Sequence, residues 1–161
     1  MKEKIVPNLW FDTEAEEAAE FYISVFDNSR IVNVNHYTES GGRDTGLALT
    51  VEFELDGQRF VGINGGSQFK FDEAVSFAIE CETQDEIDYY WEKLTDGGEE
   101  GMCGWVKDRF GLSWQVVPAE VYEIFDDSDR ERADRAIRAM MPMRKLDLAA
   151  LRAAADGAPA T

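Results

Sequence analysis

Residues 75–98 read VSFAIECETQDEIDYYWEKLTDGG, and this stretch predicts a strand followed by a capped amphipathic helix. Its first eight residues alternate in the period of a strand with one buried face. Thr83 and Glu86 form a capping box, in which each side chain satisfies an unpaired backbone N–H at the helix start. Asp96-Gly97-Gly98 ends the helix, because glycine readily adopts the left-handed conformation there. The apolar stripe of the helix has i, i+3, i+4, i+7 spacing and consists of Ile87, Tyr90, Trp91 and Leu94.

The same arrangement occurs earlier in the chain, in residues 5–25, which read IVPNLWFDTEAEEAAEFYISV. An apolar strand from Ile5 to Phe11 is followed by a second capping box, formed by Thr13 and Glu16. The stripe of this helix consists of Ala15, Ala18, Ala19, Tyr22 and Val25. Two capped strand–helix units of this kind indicate an internal duplication.

Further strands complete each copy. In the first copy, 30–38 and 47–55 have strand patterns, and Asp56-Gly57 predicts a hairpin into 59–64. The first copy is therefore predicted to be βαβββ. The second copy is predicted to be βα followed by strands near 102–107 and 112–117. A ferredoxin-like βαββαβ fold is the rival, but it has fewer strands between its two helices.

Beyond Pro118 the pattern becomes helical. A short helix is predicted at 120–125, a second helix through Met140 opened by a capping box of Ser128 and Glu131, and a third at 147–155. Residues 157–161 are expected to be frayed. These helices are predicted either to cover a module or to contact a second subunit.

Composition and charge exclude several classes of function. The chain of 161 residues carries 33 acidic and 16 basic residues, a formal net charge of −17. Such a surface repels nucleic-acid phosphates and anionic membranes, so neither is expected as a partner. No segment has the roughly 18 consecutive apolar residues of a membrane span. Because 1–7 lacks the apolar run of a signal peptide, we expect a cytoplasmic protein with Cys81 and Cys103 reduced.

The chain resembles the vicinal-oxygen-chelate (glyoxalase/bleomycin-resistance) superfamily, and within it the PhnB-like branch, over roughly residues 4–150. The resemblance is carried by LWFD at 9–12, EFY at 20–22 with Phe26, GINGG at 62–66, CGWVKD at 103–108 and FGLSWQVVP at 110–118. It implies an α+β fold of tandem βαβββ modules that curl into half-funnels enclosing a pocket, and a homodimer. The implied divisions are a first module at 1–66, a linker at 67–74, a second module at 75–118, C-terminal helices at 119–156 and a tail at 157–161.

Some relatives in this branch are labelled 3-demethylubiquinone-9 3-methyltransferase. A methyltransferase of the Rossmann kind needs a glycine-rich turn between a parallel strand and its helix. The strand-to-helix turns of this chain are Asp12-Thr13 and Glu82-Thr83. We therefore expect no such cofactor.

Metal-dependent relatives place His, Glu or Gln ligands on the first and last strands of each module. The matching positions in this chain are 6–8 and 76–78 on the first strands, and Asn64 and Gln115 on the last strands. Two neutral amides are a poor donor set for a transition metal, which needs imidazole, thiolate or carboxylate donors. The sequence predicts no catalytic metal. The single histidine, His36, shares its strand phase with Val32 and Val34 and is expected to be a hydrogen-bonded core residue.

The resemblance and the strand phases together suggest a site for a small apolar or aromatic molecule. Asn64, Ser76 and Gln115 would supply directional hydrogen bonds. The aromatic candidates are Trp10, which shares its phase with Asn8, and Trp105, each of which is either core or pocket, together with Phe71 in the linking loop. Trp114 is expected in the core.

Two groups could instead carry chemistry. Glu80 shares a phase with Ser76 and is either a general base in the pocket or one of several carboxylates on a solvated strand face. Cys103 lacks an evident activating base, and an inert thiol is the favoured interpretation. Three functions remain open: a metal-free binding protein, a small-molecule enzyme, and a dimeric interaction protein.

Overall fold

The computed structural model describes residues 3–158, and the chain divides into two compact units, Met1–Phe71 and Asp72–Thr161. The last residues of the predicted tail, 159–161, lie outside the described residues. None of the helices in the described part of the chain is both long and apolar enough to span a membrane.

The first unit has the predicted βαβββ order. Its sheet has the strand order β1-β4-β3-β2, with β1 parallel to β4 and the other neighbours antiparallel. The elements are β1 (Asn8–Phe11), α1 (Ala15–Val25), β2 (Arg30–His36), a turn of 3-10 helix (Glu39–Gly41), β3 (Ala48–Leu55) and β4 (Gln58–Asn64).

Helix α1 packs its predicted stripe on one face of this sheet. All five stripe residues are buried. The ring of Tyr22 stacks on Phe53 with centroids 6.2 Å apart, and Phe53 stacks on Phe60 at 5.6 Å. Stacked rings of this kind add to the free energy that apolar burial already contributes.

The capping box predicted at Thr13 and Glu16 is wrong. Helix α1 begins at Ala15, and its N-cap residue, Glu14, makes no side-chain cap hydrogen bond. The backbone N–H of Ala15 instead donates to Oδ1 of Asn64, at 2.9 Å. The helix start is therefore capped by a residue at the end of β4.

The phase of β3 changes near its start. His36 pairs with Ala48 while Asn35 pairs with Thr50, so Leu49 is an extra residue in a bulge. As a result Ala48 is buried and Leu49 is exposed, although the alternation of the strand pattern puts Leu49 in phase with the buried Val51 and Phe53. The predicted core position of His36 is also wrong: β2 is an edge strand, and His36 is exposed.

The second unit repeats the topology. Its sheet has the order β5-β8-β7-β6, with β5 parallel to β8 and the other neighbours antiparallel. The strand β6 was missed because two residues are too few to show a period. The tandem βαβββ fold is thereby confirmed over the ferredoxin-like alternative. The elements are β5 (Ser76–Cys81), α2 (Gln84–Thr95), β6 (Glu99–Glu100), β7 (Trp105–Lys107), β8 (Ser113–Pro118), α3 (Glu120–Phe125), α4 (Arg130–Met140) and α5 (Leu148–Ala155).

The capping residues predicted for α2 are confirmed. The hydroxyl of Thr83 accepts from the N–H of Glu86, and the Glu86 carboxylate accepts from the N–H of Glu82 at 2.6 Å. Gly97 follows the helix with a φ of 74°, the left-handed conformation that glycine adopts without strain.

Three C-terminal helices occur where they were predicted, and they cover the second module. Val117 of β8 packs in one cluster with Val121, Leu146 and Leu151. The cap of α4 differs from the prediction, because Asp129 rather than Ser128 accepts from the N–H groups of Glu131 and Arg132. A role in contacting a second subunit stays a prediction.

Candidate functional site

The second sheet has two faces of different character. Residues paired across neighbouring strands lie on the same face. Val106 pairs with Trp114, and both are buried on the face that contacts α2. Trp105 pairs with Gln115, which places both on the opposite face. Within residues 3–158 the C-terminal helices cover this face only at Val117, and we call it the open face of the second sheet.

Four residues predicted from the sequence meet on this open face. Register places Ser76 beside Ser113, and Glu80 lies in the same phase of β5 as Ser76. The amide of Gln115 donates to the hydroxyl of Ser76 at 2.9 Å, and both side chains are partly buried. The structure therefore places Ser76, Glu80, Trp105 and Gln115 on one face, with Ser76 and Gln115 in direct contact.

A cleft of about 140 Å³ lies beside this face, where β6, β7 and β8 meet. Trp105 is half-buried and forms part of its wall. The full lining consists of Glu73, Glu99, Glu100, Gly101, Trp105, Val106, Lys107 and Ser113. An apolar cavity of roughly 150 Å³ holds a benzene ring, so the cleft accepts one ring or a short chain.

An ion pair lies at the edge of the cleft. The ammonium group of Lys107 contacts the carboxylate of Glu73. This hydrogen bond raises the pKa of Lys107 and lowers the pKa of Glu73. Both groups are therefore charged at neutral pH, and the pair links β7 to the segment that precedes β5.

Glu80 is exposed at the other end of the open face. Partial burial raises the pKa of the nearby Tyr122 phenol, and the Glu80 carboxylate adds to that effect. No hydrogen bond to the Glu80 carboxylate is formed within residues 3–158. Of the two positions considered for Glu80, in a pocket or on a solvated strand face, the structure shows the solvated one. A role of Glu80 as a general base stays a prediction.

The first sheet also has an open face, opposite α1. Asn8 pairs with Val61 and Trp10 pairs with Ile63, so all four lie on it. The indole N–H of Trp10 donates to the carbonyl of Gly66 at 2.9 Å, and the ring meets Phe69 edge-on at 4.9 Å. Trp10 is consequently held within its own module.

The remaining predicted residues of the first module lie elsewhere. Phe71 meets Phe11 edge-on, with centroids 5.4 Å apart, and Phe11 is buried beneath α1. Asn64 faces α1 rather than the open face, because it follows Ile63 by one residue in a strand of period two. It is 0% exposed and donates to the carbonyl of Ala48 at 2.9 Å in addition to capping α1. Its amide therefore has a structural role, and we do not retain it as a ligand-binding residue.

Neither cysteine shows the surroundings of a nucleophile. Burial raises the pKa of Cys81 to about 12. Cys103 has a φ of 56°, and its sulfur lies 3.7 and 3.6 Å from the carbonyl oxygens of Met140 and Met141. The thiol of Cys103 therefore has backbone carbonyl partners, and its inert interpretation stays a prediction.

Potential metal ligands do not converge in the described part of the chain, where no group of three or more His, Cys, Asp or Glu side chains could hold an ion. The absence of a catalytic metal from the working protein stays a prediction.

The family model described as 3-demethylubiquinone-9 3-methyltransferase matches residues 3–117. The chain belongs to this family. One similar solved structure is a Bacillus cereus protein described as a 3-demethylubiquinone-9 3-methyltransferase, PhnB protein. Its sequence is 37% identical to this chain, and the match covers 73% of this chain and 100% of the Bacillus protein, with a TM-score of 0.67. A Pseudomonas aeruginosa protein is 16% identical over 70% of this chain and 95% of its own, with a TM-score of 0.59, and shows a shared fold. A search of the curated proteins finds no match.

Membership in this PhnB-like family confirms the resemblance seen in the sequence. The family match includes both βαβββ modules, whereas α3, α4 and α5 lie beyond the matched residues. The open face of the second sheet therefore belongs to the part of the chain that the family shares.

Several residues of the cleft were missed from the sequence. Lys107 and Ser113 pair with each other and share the phase of Trp105 and Gln115. That i, i+2 relation was available in the sequence and could have identified them. Glu73 and Glu99 gave no such signal, because their positions depend on the linking segment and on a strand of two residues.

Proposed function

We propose that this PhnB-like protein binds a small molecule with an apolar or aromatic part in the cleft of the second module, without a catalytic metal. The observation that carries the proposal is the cleft itself, with the half-buried indole of Trp105 in its wall. An aromatic side chain in a concave site supplies a large contact area at low entropic cost, and a few polar groups beside it fix orientation. The Gln115–Ser76 pair is such a polar group on the same face.

A methyltransferase activity is not part of the proposal. The segments that lead into α1 and α2, Asp12–Glu14 and Glu82–Thr83, contain no glycine. A Rossmann-type site approaches its cofactor through a glycine-rich turn at that point. Pairing as a homodimer and the larger pocket implied by the superfamily stay predictions.

The binding test uses benzyl alcohol as a neutral aromatic probe. We expect it to shift the indole N–H resonance of Trp105 in ¹H–¹⁵N spectra of the full chain, with that resonance assigned by its loss in Trp105→Phe. For a ligand of this size a Kd on the order of 1 mM is expected, which corresponds to about −4 kcal/mol. Trp105→Leu should weaken binding, because it removes the ring that contacts the probe; its Kd is measured from the backbone N–H resonances of the other cleft residues.

Tyr89→Leu is the matched control, since Tyr89 is an exposed aromatic residue on α2 outside the cleft lining. It should leave the Kd unchanged. The proposal is wrong if benzyl alcohol shifts no resonance of a cleft residue. It is also wrong if benzyl alcohol shifts the Trp105 indole resonance by the same amount in folded and in urea-unfolded protein.

The metal-free part of the proposal has its own measurement. The open-face residues closest to the family's ligand positions are Asn8, Ser76 and Gln115, none of which has a donor that transition metals prefer. Protein produced with added zinc, manganese or nickel should contain well below one equivalent of metal by elemental analysis. It should also bind benzyl alcohol equally before and after dialysis against a chelator. One stoichiometric metal ion per chain would contradict this part.

A further inference from the structure

The charges around the cleft are unequal. Three carboxylates, on Glu73, Glu99 and Glu100, line it together with the single ammonium group of Lys107. The chain as a whole carries a formal net charge of −17. A concave site with low-dielectric walls concentrates the field of the charges around it, so this cleft attracts cations.

Two of the carboxylates already have partners. Glu73 pairs with Lys107. Glu100 accepts from the indole N–H of Trp91 at 3.2 Å and lies 3.6 Å from the guanidinium of Arg144. Glu99 is cross-strand from Lys107, and its charge helps to raise the pKa of that ammonium group. It forms no ion pair within 4 Å in residues 3–158, so of the three lining carboxylates it is the one without a direct cationic partner.

A second observation also indicates a ligand, and it comes from Ser113. This residue is 1% exposed, and its hydroxyl makes no hydrogen bond to any group that the structure describes. In the described part of the chain, every side-chain oxygen that is fully sealed from solvent has a hydrogen-bond partner. The Ser113 hydroxyl is therefore not fully sealed, and its small exposed area faces the cleft that it lines. A hydroxyl that faces the cleft without a partner among the described groups can donate to or accept from a bound ligand.

We propose that the ligand of this cleft is a small organic cation, an ammonium group attached to an apolar or aromatic part. The apolar part contacts the ring of Trp105, the positive charge lies near the carboxylate of Glu99, and the ammonium N–H donates to the hydroxyl of Ser113. The inference rests on the proposed binding function and adds the charge of the ligand to it.

An anionic ligand fits less well. Lys107 is the only cation in the lining and is already paired with Glu73. An anion would have to displace that carboxylate and would then lie close to Glu99 and Glu100. A cation also gains from the indole ring, because ring faces attract positive charge.

The experiment compares three probes of nearly the same shape at pH 7: benzylammonium, benzyl alcohol and benzoate. Their dissociation constants are measured from the Trp105 indole resonance of the full chain. Benzylammonium should bind about tenfold more tightly than benzyl alcohol, because its charge interacts with a partly exposed carboxylate and with an aromatic ring. Benzoate should bind most weakly of the three. The advantage of benzylammonium should shrink as sodium chloride is raised, because salt screens exposed charges.

Three variants locate the effect. Glu99→Gln should remove most of the preference for benzylammonium and leave the Kd of benzyl alcohol nearly unchanged. Glu92→Gln is the matched control, a carboxylate of α2 that is exposed and outside the cleft, and it should preserve the preference. Ser113→Ala should weaken benzylammonium binding without changing the spectrum of the rest of the fold.

The outcomes separate this inference from the proposed function. Equal binding of benzylammonium and benzyl alcohol, tighter binding of benzoate, or an unchanged preference in Glu99→Gln would overturn the cation inference and leave the binding function standing. If none of the three probes shifts Trp105, both are wrong.

Discussion

Replacement of Asp108 by alanine is expected to lower the free energy of unfolding by about 3–5 kcal/mol, because it strands three donors at a buried turn. Asp108 is 3% exposed. One carboxylate oxygen accepts from the N–H groups of Phe110 and Leu112, at 2.8 and 3.1 Å, and the other accepts from the indole N–H of Trp114 at 2.9 Å. The turn from β7 to β8 is therefore built around this side chain. Urea denaturation followed by circular dichroism measures the change.

Asp72→Ala is the control for this variant. Asp72 makes a similar local contact, accepting from the N–H of Ala74 at 2.9 Å, but it is exposed, so water can replace the lost hydrogen bond. The cost of Asp72→Ala should be below about 1 kcal/mol. Asp108→Asn should lie between the two alanine variants, since its carbonyl oxygen can still accept from the turn. A cost below about 1 kcal/mol for Asp108→Ala would show that the hydrogen bonds do not hold the turn.

Because Asp108 positions β7 against β8, its loss also bears on binding. Trp105 and Lys107 are on β7, and Ser113 begins β8. A loosened turn changes the distances among these three groups of the cleft. The stability and binding measurements on Asp108→Asn should therefore be made on the same preparation.

Local patterns predicted the elements whose causes are local. The stripe and cap of α2 depend on residues within one helix, and Thr83 and Glu86 behave as their spacing indicated. The hairpin at Asp56-Gly57 is similar: both residues have positive φ, 46° and 78°, as a tight turn between antiparallel strands requires.

The errors occur where the cause lies outside the local window. The cap of α1 comes from Asn64, a residue on the last strand of the module, and a local search finds Thr13 instead. The bulge at Leu49 depends on how β3 pairs with β2. At α4 the window contained two adjacent candidates, and Asp129 caps where Ser128 was predicted.

The candidate site was predicted in part for the same reason. The resemblance gave the strand positions of Ser76 and Gln115, and the two-residue period of strands then added Glu80. Trp105 was left as either core or pocket. The resemblance also suggested Asn64, but the phase of β4 turns this side chain toward α1, which the sequence alone did not reveal. The acidic side of the cleft, with Glu73 and Glu99, needed the three-dimensional arrangement.

Replacement of Asn64 by alanine is expected to cost about 2–4 kcal/mol in the free energy of unfolding. Its carbonyl caps the first N–H of α1, and its amide satisfies the carbonyl of Ala48, which is itself 0% exposed. The loss of an N-cap alone costs about 1 kcal/mol, and an unsatisfied buried carbonyl adds about 1–3 kcal/mol. The backbone carbonyl of Asn64 also accepts from the phenol of Tyr37 and from Arg43, so the variant tests the side chain while the backbone contacts remain.

Asn35→Ala is the comparison variant for this prediction. The Asn35 amide donates to Thr50 at 3.2 Å on an exposed edge strand, so its removal should change the free energy of unfolding by less than about 0.5 kcal/mol.

Asn64→Asp distinguishes the two hydrogen bonds: it keeps the acceptor for Ala15 but turns a second oxygen toward the carbonyl of Ala48. It should therefore be destabilised at neutral pH and should recover part of the loss in acid, when the carboxyl gains a proton that it can donate to Ala48. Equal stability of Asn64→Ala and Asn35→Ala in urea would show that α1 does not depend on the cap from β4.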